Sequence, residues 1–130
     1  MNDIVIIKGK MFPTLVALTD MEQERGLMHR EWPPPIMSFP FSSLEARKFW
    51  MKNTPSPLDI IFCRAGKVID VCSGTPNCED FIGPEEPTDL VIEMPAGTAG
   101  KFGISSGDMV SLKYSVSTLA RHYMEKLARA

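Results

Sequence analysis

Leu58-Asp59-Ile60-Ile61-Phe62-Cys63, then Arg64-Ala65-Gly66, then Lys67-Val68-Ile69-Asp70-Val71-Cys72: this stretch decides the fold. Both outer runs are rich in Ile, Val and Phe, and the three residues between them include the glycine a tight turn needs, so the segment reads as an antiparallel hairpin. The flanks are of the same kind. On one side, Thr54-Pro55-Ser56-Pro57 forces a turn after an apparent strand at 47–52. On the other, residues 73–87 are a polar, Pro/Gly-rich loop, followed by strands at 90–94 and 109–114. A loop of about fifteen residues is long for a compact domain and is often functional.

Towards the N-terminus, residues 3–8 and 14–18 read as two more strands. Thr19-Asp20-Met21-Glu22 fits a capping box, so a short helix is expected at 20–25 with Gly26 as its stop. Trp32-Pro33-Pro34-Pro35 is a stiff connector into Ile36-Met37-Ser38-Phe39-Pro40-Phe41. Alternation there turns Met37, Phe39 and Phe41 to one face, and Pro40 places the segment at a sheet edge. A helical turn is expected at 97–102, ended by Gly103. The C-terminus changes character: Val116, Leu119, Ala120, Tyr123 and Leu127 recur at helical spacing over about 117–129, with Ser115 and Ser117 as candidate caps. About fifteen helical residues alone in water are marginal, so Leu119, Tyr123 and Leu127 should be covered, by their own domain or by another chain. The expected fold is mostly β (α+β): one compact β-barrel-like domain at 1–114, with short helices, and an appended amphipathic helix at 115–130.

The chain has 130 residues, 14 basic and 16 acidic, for a net charge of −2, with 44% hydrophobic and 23% charged residues. That composition is globular. It argues against a nucleic-acid binder, which carries a strong basic patch. There is no apolar run of membrane-spanning length, so no membrane span is expected. Met1-Asn2-Asp3 ahead of Ile4-Val5-Ile6-Ile7 lacks the basic start and the longer apolar core of an export signal, so cytoplasmic synthesis is the expectation. Cys63, Cys72 and Cys78 are too few for a disulfide framework; a Cys72–Cys78 bridge is open by spacing.

Several local patterns look catalytic but fail on context. Gly103-Ile104-Ser105-Ser106-Gly107 matches a nucleophile elbow, yet it leads through Asp108 into a strand instead of a helix, and is better read as a turn. Gly97-Thr98-Ala99-Gly100-Lys101 has Pro95 where a phosphate loop needs its first glycine and Phe102 where it needs a hydroxyl. The cysteines and the two histidines, His29 and His122, do not make a metal-ligand pattern, so no metal and no cofactor are expected. Cys63 reads as a buried apolar side chain and His29 as a surface or helix-end residue. Met21, Met28, Met37, Met51, Met94 and Met109 read as core filling.

The densest chemistry is Phe49-Trp50-Met51-Lys52-Asn53-Thr54-Pro55-Ser56-Pro57-Leu58-Asp59-Ile60. Asn53 and Thr54 can bond the local backbone. Asp59, among Leu58, Ile60 and Ile61, needs a partner, for which Arg25, Arg30, Lys52 or a backbone N–H of the 53–56 turn is available. Two readings stay open: a buried polar network that fixes the turn, or a small polar pocket with Trp50 as its wall and Arg25, Lys52, Asn53, Thr54 and Asp59 around it.

These residues resemble the domain of unknown function 192 family. The match is carried by Arg25-Gly26-Leu27-Met28-His29-Arg30, by Phe49-Trp50-Met51-Lys52-Asn53-Thr54 with Pro57-Leu58-Asp59-Ile60 and Gly66-Lys67-Val68, and by Leu90-Val91-Ile92-Glu93 with Ala96-Gly97 and Gly103-Ile104 before Gly107-Asp108, over about 10–113. The resemblance implies a compact, mostly β domain with short helices and no established activity. It also implies export or lipid anchoring for many members, for which this sequence carries no signal. The helix after Tyr114 lies beyond the family's usual end.

Two functions compete. The poor catalytic inventory and the added helix point to a non-catalytic structural or binding module in a larger assembly, such as a virus particle, with other subunits or its own copies as partners through Leu119, Tyr123 and Leu127. The alternative is an enzyme or small-ligand receptor using the pocket around Trp50, Asp59 and Arg25.

Overall fold

The computed structural model describes residues 2–128. Seven strands and three helices follow in the order β1 (Asp3–Ile7), β2 (Lys10–Val16), α1 (Asp20–Arg25), β3 (Met37–Glu45), β4 (Leu58–Arg64), β5 (Lys67–Gly74), β6 (Thr88–Pro95), α2 (Thr98–Phe102), β7 (Val110–Lys113) and α3 (Val116–Ala128). The strands form one sheet in the order β5-β4-β6-β3-β2-β1-β7. All neighbours are antiparallel except β2 and β3, which run parallel through Leu15↔Met37 and Val16↔Ser38. The sheet curls until its two edges touch: Lys67 bridges Met109, and Val110 N–H donates to Gly66 O at 2.9 Å. The result is a curled half-barrel, mostly β, with a C-terminal helix.

The β4–β5 hairpin forms as its residues dictate. Ala65 (φ +49°) and Gly66 (φ +79°) both take the left-handed conformation that matches strand twist in a two-residue turn. Lys8 (φ +53°) and Gly9 (φ +77°) make the same turn between β1 and β2, which starts β2 at Lys10, four residues before the expected strand. The capping box of α1 is complete: Glu22 N–H donates to Thr19 Oγ1 at 3.0 Å, and Thr19 N–H donates to Glu22 Oε1 at 3.0 Å.

Period-2 alternation sorts the core into two clusters, one on each face of the sheet. Ile61 and Cys63 of β4 and Ile92 and Met94 of β6 join Val5, Ile7, Phe12, Ala99 and Val110. Leu58, Ile60 and Phe62 of β4 and Val91 of β6 join Met37, Phe39, Leu27 and Met51 on the other face.

Three expectations are corrected. Residues 47–52 are not a ladder strand: Phe49 exchanges two backbone hydrogen bonds with Ile82, at 2.8 and 2.7 Å, and Met51 N–H reaches Cys78 O, because the partner is an irregular loop with no extended run to match. β3 is interior, not an edge. The carbonyls of Ile36 and Ser38 point to β2, which ends at Val16, so Pro40, next in that series, has β6 on one side but no strand on the side its missing N–H would face; its carbonyl there accepts from Gln23 Nε2 at 2.9 Å. Of the methionines assigned to the core, Met37, Met51 and Met94 are buried, but Met21 and Met109 are exposed.

α3 forms as expected, but of the two sources of cover for its apolar stripe its own domain supplies little. Leu119, Tyr123 and Leu127 are 53%, 62% and 51% exposed, and Val116 and Met124 share that face. The helix attaches by its polar side instead. Asp3 accepts from Ser115 N–H at 2.7 Å and Thr118 Oγ1 at 2.8 Å, Ser115 Oγ accepts from Thr118 N–H at 3.2 Å as the cap, and Arg121 pairs with Glu22 at 2.8 Å. Residue 129, within the expected helix, lies outside the described residues.

Candidate functional site

A cleft of about 350 Å³ opens on the second core face, between the end of α1, the 46–54 segment and the loop before β6. Each wall follows from local sequence. Gly26 (φ +50°) breaks α1 and sends the chain across the sheet with Leu27 buried beneath it. Along 49–51 the side chains alternate: Phe49 packs edge-on against Phe39 (5.1 Å, 86°), Met51 is fully buried, and Trp50 between them turns outward to stack on Phe81 (5.5 Å, 8°). Phe39, Phe41, Phe49, Trp50 and Phe81 thus give the cleft aromatic walls.

Its floor is Glu93. On β6 this residue shares a face with Val91, and its register partners are Met37 of β3 and Ile60 of β4, both apolar. It is 4% exposed, and its carboxyl makes no hydrogen bond or ion pair among the described residues. Burial pushes its pKa up to about 8, so the group is largely protonated at neutral pH. Gly26 passes so close that a Cβ there would stand 3.4 Å from Glu93 Oε1 and 3.4 Å from the Phe39 ring.

The rim is charged. The Arg47 guanidinium donates to Ser43 O at 3.0 Å, Glu45 O at 3.1 Å and Thr88 O, and lies 3.9 Å above the Phe41 ring. Lys48 Nζ donates to Gly83 O at 2.6 Å and Glu85 at 2.8 Å. Arg25 is exposed at the mouth next to Glu24, and its guanidinium has no partner among the described residues.

Of the residues singled out in the sequence, Arg25, Trp50 and Thr54 line this cleft. Thr54 is buried and its hydroxyl donates to Lys52 O at 3.1 Å, which fixes the turn. Lys52 lies 5.1 Å over the Trp50 ring without lining the cleft, and Asn53 (φ +54°) is exposed, its carbonyl accepting His29 N–H at 2.8 Å. Asp59 is the clear correction. It belongs to the opposite face of β4, with Ile61 and Cys63. There it is half-buried and accepts the N–H groups of Gly97 (3.0 Å) and Ala99 (2.9 Å) at the start of α2, not Arg25, Lys52 or the 53–56 turn. Alternation along the strand makes this unavoidable: with Ile60 in the cluster under the cleft, Asp59 points away from it.

Glu93, Phe81 and Gly26 were missed as site residues. Glu93 had a readable signal, a lone acid in the run Leu90-Val91-Ile92-Glu93-Met94. Phe81 had none, since it comes from a long loop.

Elsewhere the thiols are unbridged. Cys63, Cys72 and Cys78 are all free; burial raises Cys63 to about 12, and burial with the Asp70 carboxylate beside it raises Cys72 to about 11. The 103–108 segment is the expected turn, closed by Ser105 N–H donating to Asp108 Oδ2 at 2.8 Å. A second, wider groove of about 640 Å³ runs beside α3, where His122 Nδ1 is buried without a hydrogen-bond partner among the described residues.

The molecule is thus a curled β half-barrel with an aromatic cleft closed below by one acid. Residues 4–112 match the family model DUF192, described as an uncharacterized ACR, and the chain belongs to that family. It is similar to a protein of unknown function from Novosphingobium aromaticivorans DSM 12444, 33% identical, with a TM-score of 0.76 and 83% of each chain covered. It is also similar to a "putative transcription regulator" from Sinorhizobium meliloti 1021, 30% identical, with a TM-score of 0.78 over 86% of this chain and 94% of that one. No curated protein matches. The family match ends before α3.

Proposed function

We propose that the protein is a non-catalytic binding module that holds a small ligand in the Glu93 cleft. One observation carries this reading: a buried carboxyl with no partner among the described residues forms the floor of an aromatic-walled cleft. A buried carboxyl without a hydrogen-bond partner costs free energy even when protonated, and a ligand group that pairs with it offsets that cost. The volume falls at the small end of ligand sites, which span roughly 300–1,000 Å³, and suits a metabolite. The lining offers one buried acid and no His, Cys or Ser that could act beside it as nucleophile or base, which favours binding over turnover.

The test is a protein-observed NMR screen of small-molecule mixtures. Ligands are expected to shift the Trp50 indole and Phe81 ring signals, and Trp50→Ala is expected to lose the response. Shifts confined to other surfaces would overturn the reading.

A second reading, a subunit of a larger assembly such as a virus particle, is favoured by the exposed stripe on α3: Leu119, Tyr123 and Leu127 with Val116 and Met124. It concerns a different surface and is compatible with the first.

A further inference from the structure

Resting on the cleft reading above, we infer that the ligand is a small zwitterion of amino-acid type, its protonated amine on Glu93 at the floor and its anionic group on Arg25 at the mouth. The argument begins with what is uncommitted. Arg47 is held by three backbone carbonyls and Glu45, and Lys48 by Gly83 O and Glu85. That leaves the Glu93 carboxyl deep and the Arg25 guanidinium shallow as the polar groups along the cleft without a partner among the described residues, with Glu24 exposed beside Arg25.

The floor selects for a cation. Gly26 carries no side chain to cover the acid: a Cβ there would stand 3.4 Å from Glu93 Oε1, so the glycine leaves the carboxyl open to the cleft. An ammonium gains a charge-assisted hydrogen bond to that carboxyl. A carboxylate or phosphate at that depth would face an acid with no cation beside it. An alcohol gains only a neutral hydrogen bond, roughly half as strong. The mouth selects for the opposite sign: with Arg47 and Lys48 paired to Glu45 and Glu85, Arg25 is the cation there with no partner among the described residues.

Binding should also move a proton. The charged groups sharing the cleft with Glu93 are Glu24 and Arg25 from α1 and Arg47 and Lys48 from the 46–57 segment; its neighbours on β3 and β4, Met37 and Ile60, are apolar. Burial keeps Glu93 protonated up to about pH 8. An arriving ammonium stabilises the carboxylate form, so at pH 6.5 complex formation releases a proton to the buffer.

The test is calorimetric titration of the full chain with four probes of equal chain length: 5-aminopentanoate, pentylamine, pentanoate and 1-pentanol. The two amines should bind, at least about tenfold tighter than the alcohol and the acid. 5-Aminopentanoate should be the tightest, and Arg25→Gln should reduce it to the level of pentylamine while leaving pentylamine unchanged. Proton release should appear as a dependence of the heat on buffer ionisation enthalpy. Glu93→Gln, which is isosteric and removes a burial penalty, should fold, abolish the proton release and erase the preference for amines. Binding of pentanol or pentanoate as tight as that of pentylamine, seen as shifts of the Trp50 indole, overturns this inference and leaves the cleft reading standing. Absence of cleft shifts with all four probes, and in the mixture screen, overturns both.

Discussion

Burial holds a proton on Glu93 up to about pH 8, whereas the unfolded chain releases it near the ordinary value of 4.5. Between those values the folded state binds more protons than the unfolded one, so stability falls as pH rises. The contribution is full below about pH 4.5 and lost by about pH 8. Glu93→Gln should remove this slope and leave the variant more stable than the parent above pH 8, by roughly 3–5 kcal/mol, as read from urea denaturation across pH. Asp59 is the contrasting case. The same kind of side chain in the same kind of strand finds two N–H groups at the start of α2. Asp59→Ala should cost about 1–2 kcal/mol, as the loss of a helix cap does, and should leave the Trp50 and Phe81 ligand shifts unchanged. The candidate site was half legible for this reason. Trp50, Thr54 and Arg25 stood out by type and density, but the rule that a carboxylate among apolar neighbours needs a partner applied equally to Asp59 and Glu93. Which of them faces the cleft depends on strand register, and register is set by β3, β4 and β6 together.

The elements show where local chemistry suffices. α1 carries its own start and stop in Thr19, Glu22 and Gly26, and the β4–β5 turn carries its own glycine; both form where their residues place them. The 46–57 segment has no such autonomy. Its apolar residues resemble a strand, but its course is fixed by a distant loop through the Phe49–Ile82 pair. That dependence is concentrated at Gly83, where a Cβ would stand 2.5 Å from Arg47 O and 3.1 Å from the Phe62 ring, on a backbone with φ +150°. Gly83→Ala should therefore displace the segment, cost about 1–3 kcal/mol as overpacking does, and loosen the Trp50–Phe81 stack. With Trp32→Phe as background to remove the other indole, Trp50 fluorescence should shift to longer wavelength. An unchanged spectrum and unfolding midpoint would show that the loop does not seat the wall.

At the scale of the whole molecule, the mostly β character was legible from alternation and turns, while the strand order was not. β2 and β3 run parallel over two register pairs, and β7 returns to pair with β1; neither has a local signal, because both join residues far apart in the chain. α3 depends on such distant contacts as well. Its attachment is polar, through Asp3 and Glu22, and Thr118 is its one buried residue among those described. The exposed Arg121–Glu22 pair contributes about 0–1 kcal/mol, so the hydrogen bonds to Asp3 are the main tie between the half-barrel and α3. Its exposed leucines and tyrosine add less still, since apolar side chains stabilise only when removed from water. Leu119→Asp combined with Tyr123→Asp should therefore leave the unfolding midpoint of the isolated chain within about 0.5 kcal/mol of the parent. The assembly reading adds a second outcome: the same pair should lower the native mass of the complex recovered from the source, because a charge buried in an interface core costs several kcal/mol. A stable double variant with undiminished native mass would leave the stripe as ordinary surface. An unstable one would show that the half-barrel covers these side chains after all.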